Sequence, residues 1–299
     1  MAGFRSGYVA LIGAANVGKS TLMNQILGQK VSITSPKAQT TRNRILGILT
    51  RPDHQIIFLD TPGIHRAEDP FNRMLLQTAL GTLQDVDVIC FVVEAGETHR
   101  TIAEYALQVL TGIHVPVILA INKIDLVRKT ELLPVIDRYR ELYPFHAIIP
   151  ISALLGDGVS RLVAEALDCL PEGPQYYPDD SLTDQPERFL VAELVREKVF
   201  HLTHQEVPYS VAVSIDAFHE DEGSGRIDID ATIHVERSSQ KGILIGKKGE
   251  MLKEIGKQAR RDIERLLGCH VFLGLFVRVQ KNWRKDSRAL AEFGFETEE

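Results

Sequence analysis

The stretch that decides the fold of this chain is Gly13-Ala14-Ala15-Asn16-Val17-Gly18-Lys19-Ser20. It matches the phosphate-loop pattern GxxxxGK[ST], and it lies between an apolar run, Tyr8–Gly13, and a stretch with helical periodicity. Glycines let the backbone wrap around phosphates, while N–H groups and the helix dipole face the anion. Lys19 is expected to reach the β- and γ-phosphates, and the Ser20 hydroxyl to bind Mg²⁺. We therefore predict a nucleotide phosphate site here, extended by Thr21, and not a chance glycine-rich turn.

The chain on either side of this loop alternates strand and helix patterns, as expected of an α/β fold. Residues 7–170 alternate β-branched apolar runs with amphipathic helical stretches, which predicts a mostly parallel sheet flanked by helices. The clearest strands are Tyr8–Gly13, Gln55–Asp60, Val86–Glu94, Val115–Asn122 and His146–Ile151. Binding loops should collect at the carboxyl ends of these strands. We assign residues 1–170 to this domain.

A change in composition marks the end of the first domain. Residues 171–186 contain four prolines and four acidic residues but few residues that could build a core, so we predict a linker there. Residues 187–299 then form a second, α+β domain. Its predicted elements are a helix at Glu187–Thr203, strands at Tyr209–Ala217 and Ile227–Val235 around a turn at Gly223–Gly225, a short helix, a helix at Glu250–Leu267, a strand at Val271–Gln280 and a closing helix at Trp283–Phe293.

Composition excludes several other classes of protein. The three cysteines, Cys90, Cys169 and Cys269, form no CxxC pair, so neither a zinc site nor a disulfide framework is indicated and a reducing cytosol is expected. No apolar run approaches the roughly 18 residues that span a bilayer, and Tyr8–Gly13 is too short for a signal-peptide core. Any membrane association is therefore expected to be peripheral.

The net charge of −6 is unevenly distributed. Residues 237–288 contain 14 Lys/Arg and 5 Asp/Glu, a local +9, so the rest of the chain carries −15. An acidic body with one basic module indicates a single face that binds a polyanion. On charge alone, an ordinary solvated basic helix is an equally good interpretation.

Two further motifs follow predicted strands in the first domain. In Asp60-Thr61-Pro62-Gly63, the aspartate is expected to hold Mg²⁺ through water and the glycine N–H to sense the γ-phosphate, with Ile64 next to it. In Asn122-Lys123-Ile124-Asp125, the carboxylate of Asp125 can accept hydrogen bonds from guanine N1–H and N2–H₂, a donor pair that adenine lacks. GTP is therefore expected in preference to ATP.

Smaller signals complete the expected nucleotide site. Ser152-Ala153-Leu154 follows the next strand and suits a backbone N–H donor to guanine O6, although the tripeptide is uninformative by itself. The first switch must lie in Ser32–Arg42, where Gln39-Thr40-Thr41-Arg42 supplies two hydroxyls. Either threonine could be the second Mg²⁺ ligand, and an ordinary polar loop is the alternative.

The second domain contains a GxxG loop. Gly242-Ile243-Leu244-Ile245-Gly246-Lys247-Lys248-Gly249 precedes a long basic helix, and strands flank the pair in the order of the prokaryotic, type II KH arrangement. The glycines allow close approach to a nucleic-acid backbone, and the helix N-terminus favours phosphate. The candidate RNA-binding residues are Ile245, Gly246, Lys247, Lys248, Gly249, Lys253, Lys257 and Arg260. A purely structural helix-turn-helix is the alternative.

The four nucleotide motifs resemble those of translation-factor GTPases, and the whole chain resembles the Era family of bacterial Ras-like GTPases with a C-terminal KH domain. The matching segments are Gly13–Ser20, Gln39–Arg42, Asp60–His65, Asn122–Asp125, Arg196–Lys198, Pro208–Ser210 and Gln240–Glu250. The resemblance implies a GTPase that binds the 3′ end of 16S rRNA and assists assembly of the 30S ribosomal subunit. In some members it also implies peripheral contact with the inner membrane.

The same resemblance guides what we expect of the site. It favours Thr41 over Thr40 as the Mg²⁺ ligand, and Asn16 resembles the asparagine that helps potassium-activated GTPases hold a K⁺ ion. Ile64 replaces the glutamine that orients water in Ras-like enzymes, or else simply packs beneath the switch. No residue is assigned as the catalytic base, so Lys19, Thr41 and Asn16 are expected only to position phosphates and cations. We expect a cytoplasmic monomer that uses GTP, GDP, Mg²⁺ and K⁺.

Three other functions fit parts of the sequence less well. A GTPase of tRNA modification would need a C-terminal catalytic cysteine, whereas Cys269 precedes a strand of the KH pattern. A double-GTPase assembly factor would need a second set of nucleotide motifs. A membrane-remodelling GTPase would need a long helical stalk or an amphipathic anchor.

Overall fold

The computed structural model of the chain describes residues 3–37, 39–64, 70–96, 100–221, 223 and 225–295. The chain divides into two compact units, Met1–Asp184 and Gln185–Glu299. A six-stranded sheet forms the first unit and a three-stranded sheet the second. None of the described helices combines the length and the apolar character that a bilayer crossing requires.

The first unit is a parallel sheet with one antiparallel edge strand. Its strands are β1 (Arg5–Ile12), β2 (Ile45–Arg51), β3 (His54–Asp60), β4 (Val88–Glu94), β5 (Val117–Asn122) and β6 (Ala147–Pro150). Its helices are α1 (Lys19–Leu27), α2 (Pro70–Gly81), α3 (Arg100–Leu110), α4 (Lys129–Leu142) and α5 (Val159–Cys169). The strand order is β2-β3-β1-β4-β5-β6, and only β2 runs antiparallel to its neighbour in this sheet.

Burial explains why the strands of this sheet read as continuous apolar runs. Residues 88–93 of β4 and all six residues of β5 are buried, as expected where helices cover both faces of a parallel sheet. The five predicted strands are confirmed. The sequence reading missed β2, because β2 is joined to β3 by a tight hairpin and has no crossover helix after it.

Most of the stretch predicted as a linker packs on the first unit. Glu172 forms an isolated bridge with Arg5, and the Gln55 side chain accepts hydrogen bonds from the backbone of residues 176 and 177. The carbonyl of Leu182 accepts from the N–H of Ile48, which lies on the edge strand β2. The segment therefore covers an edge that would otherwise present unpaired backbone groups.

The second unit packs its helices on one face of a small sheet. It consists of α6 (Glu187–Leu202), β7 (Ala212–Asp221), β8 (Arg226–Val235), α7 (Ser238–Ile245), α8 (Glu250–Leu267), β9 (Val271–Val279) and α9 (Ser287–Glu292). β8 lies in the centre, antiparallel to β7 and parallel to β9. The amphipathic α8 buries Ile255, Ala259 and Ile263 at a spacing of four residues, so one helical face joins the core.

Two predicted elements in this unit differ from the structure. The strand predicted at Tyr209–Ala217 runs from Ala212 to Asp221, and Pro208–Ser210 forms a turn of 3₁₀ helix before it. The predicted closing helix is divided at Asp286, whose side chain accepts from the N–H groups of Arg288 and Ala289 and so starts α9 afresh.

Trp283, three residues before that break, closes the core of the second unit. It is fully buried, and its Nε1–H donates to the carbonyl of Ser210 at 3.0 Å. Its indole stacks on the ring of Phe295 and meets the edge of Phe293. Both the apolar and the polar part of the indole are therefore satisfied.

Candidate nucleotide site and nucleic-acid interface

The phosphate loop joins β1 to α1, and its glycines are required by geometry. Gly13 and Gly18 both have positive φ values, 155° and 101°. A Cβ on Gly13 would lie 2.2 Å from the Val92 carbonyl oxygen, and one on Gly18 would lie 2.3 Å from Asn122 Nδ2. A side chain at either position would displace a residue of a neighbouring strand, β4 or β5.

Lys19 is enclosed by the loop that precedes it. Its ammonium donates to the carbonyl oxygens of Gly13 at 3.0 Å and Ala14 at 2.9 Å, and the side chain is buried. Burial lowers the pKa of Lys19 to about 8, an effect that the nearby Asp60 carboxylate partly opposes. The charged group is thus held within the loop, where a bound phosphate would favour its protonated form.

A cluster of oxygen atoms lies beside the start of α1. Ser20 Oγ donates to Asp60 Oδ2 at 2.6 Å and lies 2.8 Å from Thr41 Oγ1. Burial raises the pKa of Asp60, while Lys19 and three hydroxyl groups lower it. The other carboxylate oxygen, Oδ1, is buried and has no hydrogen-bond partner among the described residues. Carboxylate and hydroxyl oxygens with an unused buried acceptor fit a hard cation such as Mg²⁺.

The two threonines of the first switch point to different partners. Thr41 Oγ1 belongs to the oxygen cluster, whereas Thr40 Oγ1 donates to the carbonyl of Lys37 at 2.7 Å. The geometry therefore brings Thr41, and not Thr40, to the place where the cation is expected. Both side chains are buried.

Sequence reasoning missed one member of the cluster, Ser32. Its buried hydroxyl donates to Asp60 Oδ2 at 2.9 Å. Its backbone N–H donates to Asn24 Oδ1, and its carbonyl accepts from Asn24 Nδ2 at 2.7 Å. Asn24 on α1 thus fixes Ser32 against the carboxylate. A single serine in a polar loop carries no sequence signal for this role.

The motif after β3 folds back against the phosphate loop. Thr61 Oγ1 donates to the Leu11 carbonyl at 2.8 Å, Pro62 is buried, and a Cβ on Gly63 would lie 2.5 Å from Ala15 Cα. Ile64 donates its N–H to the Gly13 carbonyl and buries its side chain in the core. Ile64 therefore packs beneath the switch. His65, the last residue of the matched motif, lies outside the described residues.

Asn122 connects the loops after β5 and β6 to the phosphate loop. Its Nδ2 donates to the Val17 carbonyl at 2.7 Å, and its Oδ1 accepts from the Ala153 N–H at 2.9 Å. One buried amide therefore links the residues after β1, β5 and β6.

The expected base-binding residues surround an open surface. Lys123 has a φ of 64° and pairs with Glu94 at 3.3 Å, while Asp125 is exposed on a turn of 3₁₀ helix formed by Ile124–Leu126. Ser152 is buried and its Oγ accepts from the N–H of residue 155, whereas Leu154 is exposed. The carboxylate of Asp125 is thus accessible to an incoming base.

Asn16 points toward the first switch. It has a φ of 65°, and its Nδ2 donates to the carbonyl of Pro36 at 2.9 Å. This contact brings together an amide and a carbonyl, both of which carry oxygen atoms of the kind that bind alkali cations.

The GxxG loop joins α7 to α8 and presents its two lysines to solvent. Gly246 and Gly249 have φ values of 70° and 81°, and a Cβ on Gly246 would lie 2.7 Å from the Cβ of Met251. Lys247 and Lys248 are exposed between them, and Ile245 is half-buried. Replacing Gly246 would therefore distort the start of α8.

One face of α8 continues this basic surface. Lys253, Lys257 and Arg260 are exposed on successive turns, opposite the buried side of the helix. None of the three forms an ion pair with a residue in the described ranges. The loop and the helix thus present five cationic side chains that are available to an anion.

Comparison with known proteins identifies both units. Residues 8–123 match the family model for 50S ribosome-binding GTPases, and residues 206–284 match the model for KH domains. The chain is 57% identical over 293 residues to GTPase Era of Geotalea uraniireducens (strain Rf4), covering 98% of both proteins. The chain belongs to the GTPase Era family. GTPase Era of Syntrophus aciditrophicus (strain SB) is 54% identical, with 98% of this chain and 95% of that protein covered.

Two solved Era structures match almost the whole chain. Era in complex with MgGDPNP and nucleotides 1506–1542 of 16S ribosomal RNA superposes with a TM-score of 0.95 at 44% identity, covering 98% of this chain and all of that one. An Aquifex aeolicus Era variant bound to GDP·AlF4⁻ gives 0.94 at 43% identity, with the same coverage. The predicted P-loop GTPase and KH domains are thereby confirmed, and this Era-family chain is a GTP-hydrolysing enzyme.

Proposed function

We propose that this GTPase acts as a GTP-dependent switch that binds the 3′ end of 16S rRNA through its KH unit and assists assembly of the 30S subunit. The observation that carries this proposal is the full-length similarity to Era in complex with MgGDPNP and nucleotides 1506–1542 of 16S rRNA. The basic surface of α7 and α8 supports it, because this surface lies in an otherwise acidic chain.

Within the first unit, we assign the nucleotide to the loops that Asn122 holds together. The phosphates would lie against Gly13–Thr21 and the motif Asp60–Ile64, and the base against Asn122–Asp125 and Ser152–Leu154. The exposed carboxylate of Asp125 would accept from guanine, and the half-buried stem of Lys123 would cover the purine face. The hydrogen bonds of Lys19 to two carbonyl groups of the loop support this assignment, because they hold its ammonium beside the proposed phosphate site.

We assign Mg²⁺ to Ser20 and Thr41, with Asp60 acting through water. The unused buried oxygen of Asp60 supports this assignment, since such an acceptor is costly without a partner. When bound, Mg²⁺ neutralises negative charge on the phosphates. The protein itself would orient the phosphates through the loop backbone and Lys19, and its hydroxyl donors oppose the rise in the pKa of Asp60 that burial causes.

A monovalent cation would complete the site. We propose that K⁺ binds near Asn16, because its amide faces the carbonyl of Pro36 at the edge of the phosphate loop. The burial of Ile64 supports the same proposal. The position that carries the water-orienting glutamine in Ras-like enzymes here carries an apolar side chain packed in the core.

For the RNA, we propose contacts with Ile245–Gly249 and with Lys253, Lys257 and Arg260. The experiment replaces Lys247 and Lys248 with Asp and measures binding to a 3′-terminal 16S rRNA fragment by filter binding over a range of salt concentrations. We expect weaker binding and a salt dependence that is flatter by about one unit of slope for each lost contact. GTP affinity should be unchanged.

A matched control makes an equal change of charge on a different surface of the protein. Lys129 and Arg140 are exposed on α4 of the first unit, and replacing both with Asp should leave RNA binding intact. Wild-type RNA affinity in the Lys247 and Lys248 variant would contradict the proposed interface. Loss of GTP binding in that variant would contradict the independence of the two units.

The cellular location and the oligomeric state of the protein are proposed from its resemblance to the Era family. We propose a cytoplasmic monomer that makes peripheral contact with the inner membrane. Sedimentation of the purified protein and flotation with anionic vesicles test the two statements separately.

A further inference from the structure

The outer face of the sheet in the second unit carries two exposed aromatic rings. β9 alternates its side chains, so Leu273 and Leu275 join the core beneath the helices while Phe272 and Phe276 point the other way. Each phenylalanine is 59% exposed. Large apolar side chains that are this exposed indicate a contact surface when they lie together.

A carboxylate occupies the space between the two rings. Asp230 on β8 is in register with Gly274, which lies midway between Phe272 and Phe276. A Cβ on Gly274 would be 2.2 Å from Asp230 Oδ1, so the carboxylate fills the gap left by the glycine. Four strand residues span about 13 Å, so each ring lies about 7 Å from this position along the strand. The Asp230 side chain makes no hydrogen bond or ion pair with a residue that the structure describes.

The charges around Asp230 decide which partner fits. Asp228 is on the same face, in register with Phe272, and is paired with Arg226. Asp216 also lies there and accepts from the Thr232 hydroxyl. These carboxylates would repel phosphate groups. Among the described strand residues that share this face by register, the arginines are Arg226 and, at the far end of β9, Arg278, and the histidines are His219 and His234. The proposed RNA-binding residues belong to α7 and α8, which pack on the opposite face.

We propose that this face binds an arginine or lysine side chain from a basic segment of a partner protein. The cation would pair with Asp230, and the rings of Phe272 and Phe276 would cover its apolar stem and face its charge. A charge-assisted hydrogen bond combined with cation–π contacts suits this arrangement of one acid between two rings. The proposal does not depend on the RNA-binding function.

The test titrates the full-length protein with a blocked arginine-rich peptide and with the same peptide containing citrulline, which is neutral and of similar shape. We expect saturable binding of the arginine peptide alone. Asp230→Asn should weaken it about tenfold, the effect of losing one charge-assisted hydrogen bond. Phe276→Leu keeps an apolar side chain but removes the ring, and should weaken binding to a smaller extent.

Glu220→Gln is the matched control. Glu220 is exposed on the same sheet but is in register with the core residue Ile227, so it lies on the other face. This variant removes the same charge and should bind the peptide like wild type. Equal losses in Asp230→Asn and Glu220→Gln, or equal binding of the citrulline peptide, would overturn the proposal. So would a gain of RNA affinity in Asp230→Asn with a loss in Phe276→Leu, which would identify a base-stacking surface.

Discussion

Individual hydroxyl groups lower the pKa of Asp60 in the first unit, against the larger effect of burial. Burial favours the neutral carboxylic acid, while donors from Ser20, Ser32 and Thr41 favour the carboxylate. Ser20 and Thr41 are also the proposed Mg²⁺ ligands, whereas the hydrogen bonds of Ser32 within the described ranges go to the carboxylate and to Asn24. Ser32 is therefore a positioning residue whose effect can be measured separately from metal binding.

We predict that Ser32→Ala raises the Mg²⁺ concentration needed for half-maximal GTP hydrolysis by about threefold, the effect of one net hydrogen bond lost from the carboxylate. Loss of a donor also raises the pKa of Asp60 further, so the acid limb of the pH–rate profile should move to higher pH. Ser35→Ala, in the same segment, is the control. Identical Mg²⁺ and pH profiles for Ser32→Ala and wild type would disprove this role.

The residues of the site differ in how far the sequence could predict them. The sequence motifs predict Lys19, Asp60 and Asn122 as site residues, because binding of a nucleotide requires these residue types at these spacings. Ser32 and Asn24 could not be found, since their roles depend on a loop returning to α1. The contact of Asn16 with Pro36 is equally invisible to a reading of local pattern.

Among the secondary-structure elements, α6 is unusual because it buries three consecutive charged side chains. Arg196, Glu197 and Lys198 are all less than one-tenth exposed. Lys198 pairs with Glu197 at 2.8 Å and with Asp262 on α8. Burial lowers the pKa of Lys198, but its bonds to Asp262 and Glu197 outweigh that effect and raise it. The two helices are thus joined by a charge as well as by apolar packing.

We predict that Lys198→Met destabilises the second unit by about 3 kcal/mol, because two carboxylates lose their common partner. Adding Glu197→Gln should recover part of this loss. The pKa of Lys198 is raised in the folded state, so its contribution is present at neutral pH and is lost as the pH rises through that value. Urea denaturation followed by circular dichroism measures each variant. Wild-type stability of Lys198→Met would contradict the interpretation.

Predictability also varied between elements. The bounds of α8 were predicted correctly, because Gly249 and Gly268 flank a strong amphipathic pattern. The break at Asp286 was missed, since an aspartate within a helical pattern is recognisable as a cap only from its hydrogen bonds. β2 was missed because its pairing with β3 depends on a hairpin without glycine.

At the scale of the whole molecule, the rate of GTP hydrolysis should depend on which monovalent cation is present in solution. We predict that exchanging Na⁺ for K⁺ at constant ionic strength raises intrinsic GTP hydrolysis at least about tenfold, since a fixed cation replaces a missing electrostatic contact. Asn16→Ala should abolish the difference between the salts while retaining GDP binding. Equal rates in both salts for wild type would remove K⁺ from the mechanism.

The buried indole of Trp283 gives the molecule a built-in optical label. It is the only tryptophan in the sequence, and it lies in the core of the second unit, bonded to Ser210. Tryptophan fluorescence therefore reports on the KH unit, whereas the nucleotide-binding unit contributes none because it contains no tryptophan. Unfolding of the two units can thus be distinguished in the unlabelled protein, by comparing this emission with the release of a fluorescent guanine nucleotide.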